Sequence, residues 1–287
     1  MLTIALLAAI PQEYRALMRV MGEWIPLSSR RPKTYSVNLK DRKFFLFEIG
    51  IGGGHLDTVL KIIEGMKACK YILVIGFAGA LHPKLQVGDV LLGTRFSTCD
   101  ECSKVLYSIS LPPALENFCC THQIRPAHMV TAKTITPKGK KATLLDNEIA
   151  AIEMETFSVV RWAHLNNISF LCFRSISDEV DFPIRYDLNS LTDSYGSIRL
   201  EKVVRSLAVH PTWMLPFLRS WRRAQIAARA LATKVSAFLS LPLRDLTSSF
   251  EDQSLIYIGQ SRLLASRENP SGARKERMDW GNGSCRR

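Results

Sequence analysis

A chain of 287 residues that is 47% hydrophobic, with a mean hydropathy of +0.03, has room for one large domain or one domain plus an appendage, and enough apolar side chains for a core. Its +12 formal charge is uneven: residues 1–200 hold 23 Lys and Arg against 19 Asp and Glu, whereas residues 201–287 hold 15 against 7, so the basic character belongs to the C-terminal third. Seven cysteines, an odd number that includes a tail Cys285, argue against a secreted disulfide framework and for a reducing cytoplasm.

Met1–Ile10 is apolar but has no basic leader and no small-residue cleavage site, and it is too short to span a bilayer. The run Leu2–Ala9, ending at Pro11, instead predicts a strand buried on both faces. Gln12–Met21 has helical character. Thr34–Leu39 and Lys43–Ile49, separated by Lys40-Asp41-Arg42, predict a hairpin. Gly50 to Gly54 breaks the pattern, and His55–Met66 resumes as an amphipathic helix. Tyr71–Gly76 is a second buried strand running into the small-residue turn Phe77-Ala78-Gly79-Ala80, and Val87–Leu92 is a third. Residues 97–126 are Cys-rich and irregular. Cys99 and Cys102 have metal-ligand spacing, but the adjacent Cys119 and Cys120 make a poor second half of a tetrahedral site, so no metal is expected. Met129–Thr136 is a further strand, followed by a basic loop.

The stretch Ile152–Asp181 carries the chemistry. Glu153-Met154-Glu155 follows a small apolar run, Phe157–Leu165 reads as a short helix, and Ile168–Phe173 is a strand delivering Arg174, Ser177, Asp178, Glu179 and Asp181. Strand, helix, strand with acids at both strand ends predicts the crossover unit of a parallel sheet, whose ligands sit at the carboxyl ends of the strands. Singly, each acid reads as a solvated loop residue or a helix cap, because most charged loop residues are not catalytic. Together they point to one crevice.

Beyond Asp181 the texture is polar and broken. Leu200–Val209 is a helix stopped by His210-Pro211. Leu215–Leu241 interleaves Leu218, Trp221, Leu231, Val235 and Phe238 with Arg219, Arg222, Arg223, Arg229 and Lys234, a basic amphipathic helix. The expected division is an α/β domain over 1–199, a helical extension over 200–245, and a disordered tail over 246–287. Three uses of the basic helix compete: packing on the core with the arginines solvated, lying on a membrane surface through 215–241, or touching nucleic acid. The last lacks a recognisable domain or stacking platform, so no nucleic-acid partner is expected.

The order of Ala9-Ile10-Pro11-Gln12-Glu13, Gly50-Ile51-Gly52, Gly76-Phe77-Ala78-Gly79-Ala80, Val87-Gly88-Asp89, Glu153-Met154-Glu155 and Ser177-Asp178 resembles the purine nucleoside phosphorylase and methylthioadenosine/adenosylhomocysteine nucleosidase superfamily. The resemblance covers residues 1 to about 182. Residues 200–241 are also similar in texture to the end of hopanoid-associated phosphorylases, members thought to act on adenosylhopane, a lipid-borne adenine nucleoside. The resemblance implies an α/β fold with a central mixed, partly barrel-like sheet flanked by helices. It implies cleavage of the N-glycosidic bond of an adenine nucleoside, by hydrolysis or with inorganic phosphate as co-substrate, in a homodimer without metal or organic cofactor. The site would be cytoplasmic or peripheral to the inner face of the membrane.

Chemically, that cleavage needs a protonated leaving base, a stabilised ribosyl cation and a nucleophile. The resemblance assigns Asp178 to purine N7, Glu155 to the ribose hydroxyls with Met154 against the sugar face, and Glu13 to activating water. Arg174 would orient the nucleophile or neutralise phosphate, or simply pair with Asp178 or Glu179. Glu153, Ser177 and Gly52 join the substrate-binding set, as do Phe77, Ala78 and Gly79 of the small-residue turn. Phe77 stands where family nucleosidases carry a serine, and the region Ile135-Thr136 takes the place of the base-stacking aromatic, which makes Thr136 a base contact. Phe77 also keeps open a nucleoside-binding protein that retains the pocket without turnover.

Overall fold

A computed structural model describes residues 1–99, 106–133, 148–182, 193 and 199–258. The chain opens with β1 (Leu2–Ala8), helix α1 (Pro11–Met21) and the edge strand β2 (Ile25–Pro26). Strands β3 (Thr34–Leu39) and β4 (Arg42–Glu48) form the expected hairpin. Helix α2 (Leu56–Gly65) then leads to the long β5 (Cys69–Ala80), and β1 lies parallel to both β4 and β5. Next come β6 (Val90–Thr98), β7 (Tyr107–Ile109), helix α3 (Pro113–Thr121), β8 (Arg125–Thr131), β9 (Ala150–Glu153), helix α4 (Thr156–Leu165) and β10 (Ser169–Asp178).

Five of these strands close on themselves. β10 is parallel to β5 and antiparallel to β6, β6 is parallel to β8, β8 to β9, and β9 is antiparallel to the last residues of β5 through Gly79 and Ala80. Closure is possible because β5 continues past its apolar run into small residues. The result is a mixed, barrel-like sheet flanked by helices.

The strand sequences follow from this placement. Ile4–Ala8, Ile72–Ile75 and Phe170–Phe173 are buried throughout, as continuous apolar strands covered on both faces must be. One layer of core gathers α2 and α4 through Val59, Ile63, Val159 and Ala163. The opposite layer gathers α1 through Tyr14, Leu17 and Met21, spaced to share one helix face.

The C-terminal part contains α5 (Leu200–Val209), α6 (Met214–Leu239), α7 (Leu243–Glu251) and β11 (Leu255–Tyr257). In α6 the second half is core: Leu231, Val235 and Phe238 are buried against the α1 layer, while Met214, Leu215, Leu218 and Trp221 of the first half stay exposed. Among the described residues no single helix is long and apolar enough to cross a membrane. The pair Pro211–Leu239 and Leu243–Glu251 passes a test of length and composition, but it bends by 104° and its second half is core.

Three expectations need correction. The strands β9 and β10 are not a parallel crossover pair: they flank β5 and run in opposite directions, because β9 is the strand that closes the barrel. The disordered tail does not begin at 246. Leu246 and Phe250 of α7 fill the core, and β11 pairs antiparallel with β7. The irregular Cys-rich segment holds β7 and α3, whose Leu115, Phe118 and Cys119 are buried. The remainder of the expected tail, 259–287, and Cys102 lie outside the described residues.

Candidate functional site

The carboxyl ends of β5, β9 and β10 and the first turn of α1 converge on one guanidinium. Arg174 on β10 is 1% exposed, and its Nη2 donates to Glu153 Oε2 at 2.5 Å, Thr156 Oγ1 at 2.8 Å and Glu155 Oε2 at 3.2 Å. Its Nη1 reaches the Phe77 carbonyl at 3.4 Å. The register explains the approach: Arg174 stands beside Gly76 on β5, and a Cβ at Gly76 would collide with Arg174 Nη1 and stand 2.7 Å from Glu13 Oε1. A glycine inside an otherwise apolar strand marks such a close approach.

Glu13 enters from α1 and is buried. Its Oε2 accepts from the backbone N–H of Ala9 at 2.7 Å and of Ile10 at 3.2 Å, and its Oε1 accepts from the N–H of Phe77 at 2.8 Å. Burial pushes its pKa up, against the pull of Arg174 and those three amides.

Glu155 sits at the start of α4. Its Oε1 accepts from the N–H of Gly52 at 2.9 Å, which requires the glycine turn: Gly50, Gly52 and Gly53 all have positive φ. Burial raises its pKa to about 7, with Arg174 lowering it and the neighbouring Glu153 and Glu13 raising it further. Met154 lies against this turn, its Cε 3.8 Å from where a Cβ of Gly52 would be.

Glu153 is held by the protein's own donors. Its Oε2 accepts from the N–H of Glu155 at 2.9 Å and of Thr156 at 2.7 Å, from Thr156 Oγ1 at 2.6 Å, and from Arg174; its Oε1 accepts from Thr131 Oγ1. Its Oε2 is thus fully occupied, while Oε1 accepts from Thr131 alone. It meets the first N–H groups of α4 and anchors Arg174.

Asp178 stands at the end of β10, past a bulge that offsets Ser177 from the ladder. Ser177 Oγ is 2.8 Å from Asp178 Oδ1 and 3.5 Å from the Ala78 carbonyl, while Gly79 pairs with both Asp178 and Ile152. Phe77 contributes its N–H to Glu13 and packs its ring on the core. The structure thus joins Arg174 to Glu153 and Glu155 by direct bonds, sets Glu13 beside them through Gly76 and the Phe77 amide, and places Asp178 at the end of the same strand β10. Thr136 lies outside the described residues. Sequence reasoning missed Thr131 and Thr156, which the run of acids beside them overshadowed, and Gly76, whose place inside a strand was a readable signal.

A second polar cluster is sealed. His128 Nε2 is 2.8 Å from Ser97 Oγ, and its Nδ1 is 3.6 Å from Glu148, an order like that of an activated serine. Ser97 is 0% exposed and His128 is buried beside it, so the pair lies inside the fold. Among the described residues no group of His, Cys, Asp and Glu is arranged to hold a metal ion.

A closed mixed barrel flanked by helices, with an arginine and carboxylates at its strand ends, defines the α/β class of fold to which the chain belongs. The model of the phosphorylase superfamily matches residues 3–207, and the chain belongs to that family. It is 21% identical over 224 residues to the aminodeoxyfutalosine nucleosidase of Campylobacter jejuni, covering 71% of this chain and 98% of that one. It is 25% identical over 133 residues to the uridine phosphorylase of Escherichia coli (strain K12), covering 46% of this chain and spanning about half, 52%, of that enzyme. The solved structure of a 5′-methylthioadenosine/S-adenosylhomocysteine nucleosidase from Campylobacter jejuni superposes with a TM-score of 0.57 at 16% identity, over 83% of this chain and 100% of that one, and so shares the fold.

Proposed function

We propose that the protein hydrolyses the N-glycosidic bond of an adenine nucleoside, and that the nucleoside is carried on a lipid. The observation that carries the choice of water is the seat of Glu13. The backbone N–H groups of Ala9, Ile10 and Phe77 form the anion cradle beside Arg174, and the carboxylate of Glu13 fills it. A phosphate dianion would meet three buried carboxylates and one guanidinium already engaged by two of them, Glu153 and Glu155. Water meets a buried carboxylate with a raised pKa, the property wanted in a general base near neutral pH.

The step is then direct. Glu13 takes a proton from water as its oxygen attacks C1′ of the ribose. The C1′–N9 bond breaks, its electron pair goes to the purine, and Asp178 supplies the proton at N7. Glu155, held by Gly52, binds the ribose hydroxyls and steadies the cationic sugar, with Met154 against its face. Arg174 touches the carboxylates, so it acts as a positioning residue. The aminodeoxyfutalosine and methylthioadenosine nucleosidase relatives support the nucleoside assignment, and the texture of 200–241 supports the lipid.

Base release from adenosine, methylthioadenosine, adenosylhomocysteine, inosine and an adenosyl lipid, each with and without phosphate, tests this. Adenine is expected to appear without phosphate, unaccelerated by it, fastest from the lipid. Asp178→Asn is expected to slow release by about 10²-fold or more while nucleoside binding persists. Release only with phosphate would make the protein a phosphorylase. Binding without any release would make it the binding protein that Phe77 left open.

A further inference from the structure

Helix α6 is two helices in one by environment. From Ala227 on it is buried, but its first three turns and α5 carry large apolar side chains into solvent: Leu215 is 67% exposed, Val209 64% and Val204 61%. Leu215, Leu218, Arg219 and Arg222 occupy positions i, i+3, i+4 and i+7 and are all exposed, so two leucines and two arginines share a single stripe. Met214 and Trp221 lie beside that stripe, and Lys202 and Arg205 on α5 are exposed as well. From residue 200 to 234 the sequence has seven Lys and Arg and one acid, Glu201.

Exposed leucines with exposed arginines beside them match an apolar layer directly beneath a plane of negative charge. That is the interface of an anionic bilayer, into which apolar side chains insert while arginine stems lie along the acyl chains with their heads among the phosphates. We infer that the elbow formed by α5 and the first half of α6 is a docking surface for an anionic phospholipid bilayer. Spanning is ruled out by the same helix, because withdrawing its second half would empty the core of Leu231, Val235 and Phe238.

The elbow is tied to the site. Arg223, one turn past Arg219, bonds Glu179 Oε2 at 3.4 Å and stacks on Phe182 at 4.0 Å from the ring centre. A cavity of about 360 Å³ opens there between Leu85, Val180, Phe182 and Arg223. Asp178 immediately precedes Glu179, so Arg223 ties α6 to the segment that carries the candidate acid. The docking surface stands whether or not the hydrolysis above is correct.

Full-length protein is sedimented with vesicles of phosphatidylglycerol mixed with phosphatidylcholine, and with phosphatidylcholine alone. Binding to the anionic vesicles is expected to be at least about tenfold stronger, given the worth of each basic residue near such a surface. Leu215→Asp with Leu218→Asp, and separately Arg219→Glu with Arg222→Glu, should each bring it down to the neutral level. All four positions are exposed, so melting temperatures should match the parent. Equal binding to both vesicle types, or anionic binding that survives both pairs of substitutions, would overturn the inference. So would vesicle-free sedimentation of a self-associated chain or capture of nucleic acid through the same residues without vesicle binding.

Discussion

Glu155 is the residue whose surroundings make a prediction about pH. Ionised, it accepts from Gly52 and, in the proposed hydrolysis, would grip the sugar; protonated, it would lack the charge that steadies the ribosyl cation. Burial and the flanking Glu153 and Glu13 raise its pKa to about 7, well above that of a free carboxylate, although Arg174 pulls the other way. The active, ionised form is therefore lost as pH falls through about 7, and kcat/KM for a soluble adenine nucleoside should drop about tenfold for each further pH unit. The linked effect on folding has the opposite sense. Between the ordinary pKa of 4.5 and about 7 the folded state holds a proton that the unfolded state has released, so this group's contribution to stability declines as pH rises across that window. A rate profile flat from pH 8 to pH 5 would show that Glu155 is not the titrating group.

At the scale of elements, α4 depends on a residue outside it. Its N-terminal N–H groups are met by the Glu153 carboxylate from the end of β9, and the same oxygen holds Arg174. Glu153→Gln keeps the volume but removes the charge facing a fully buried guanidinium. Breaking one side of such a pair costs about 3–5 kcal/mol, so urea unfolding should register a loss of that order. Activity should fall as well, because Glu155 is placed by the turn that Glu153 fixes. A stability change under about 0.5 kcal/mol, the level of an ordinary surface substitution, would contradict this role.

Other elements divide by how locally they are encoded. The strands β1, β5 and β10, the β3–β4 hairpin, and helices α1, α2, α4 and α5 were legible, because each carries its period or its turn residues within its own span. The meeting of Glu13, Glu155 and Arg174 was legible only as a family order; no spacing along the chain says that an arginine on β10 reaches acids on α1 and β9. β11 was illegible, since three residues acquire strand structure only by pairing with β7. α7 had a faint signal in Leu246 and Phe250, four residues apart after Pro242, which its serines masked.

For the whole molecule, the question is whether the C-terminal extension rides on the domain or belongs to it. Phe238 answers in part. Fully buried, its ring lies 5.2 Å from Phe173 of β10, 5.4 Å from Phe118 of α3 and 6.0 Å from Phe250 of α7, so one side chain from the extension joins the barrel, a connecting helix and the last helix. A basic amphipathic helix offered core packing and membrane contact as rival readings; the fold assigns the buried half of α6 to the first. The extension should therefore not melt by itself. Phe238→Ala is expected to remove about 3–5 kcal/mol, lowering the single calorimetric transition by roughly 6–20 °C for a domain of this size. Two separated transitions in the parent protein, or a shift under about 2 °C in the variant, would mean that the barrel holds together without α6. One transition that moves as a unit would mean that the exposed elbow is mounted on the same rigid body as Asp178 and Arg174, so contact made there is delivered to the site without a hinge.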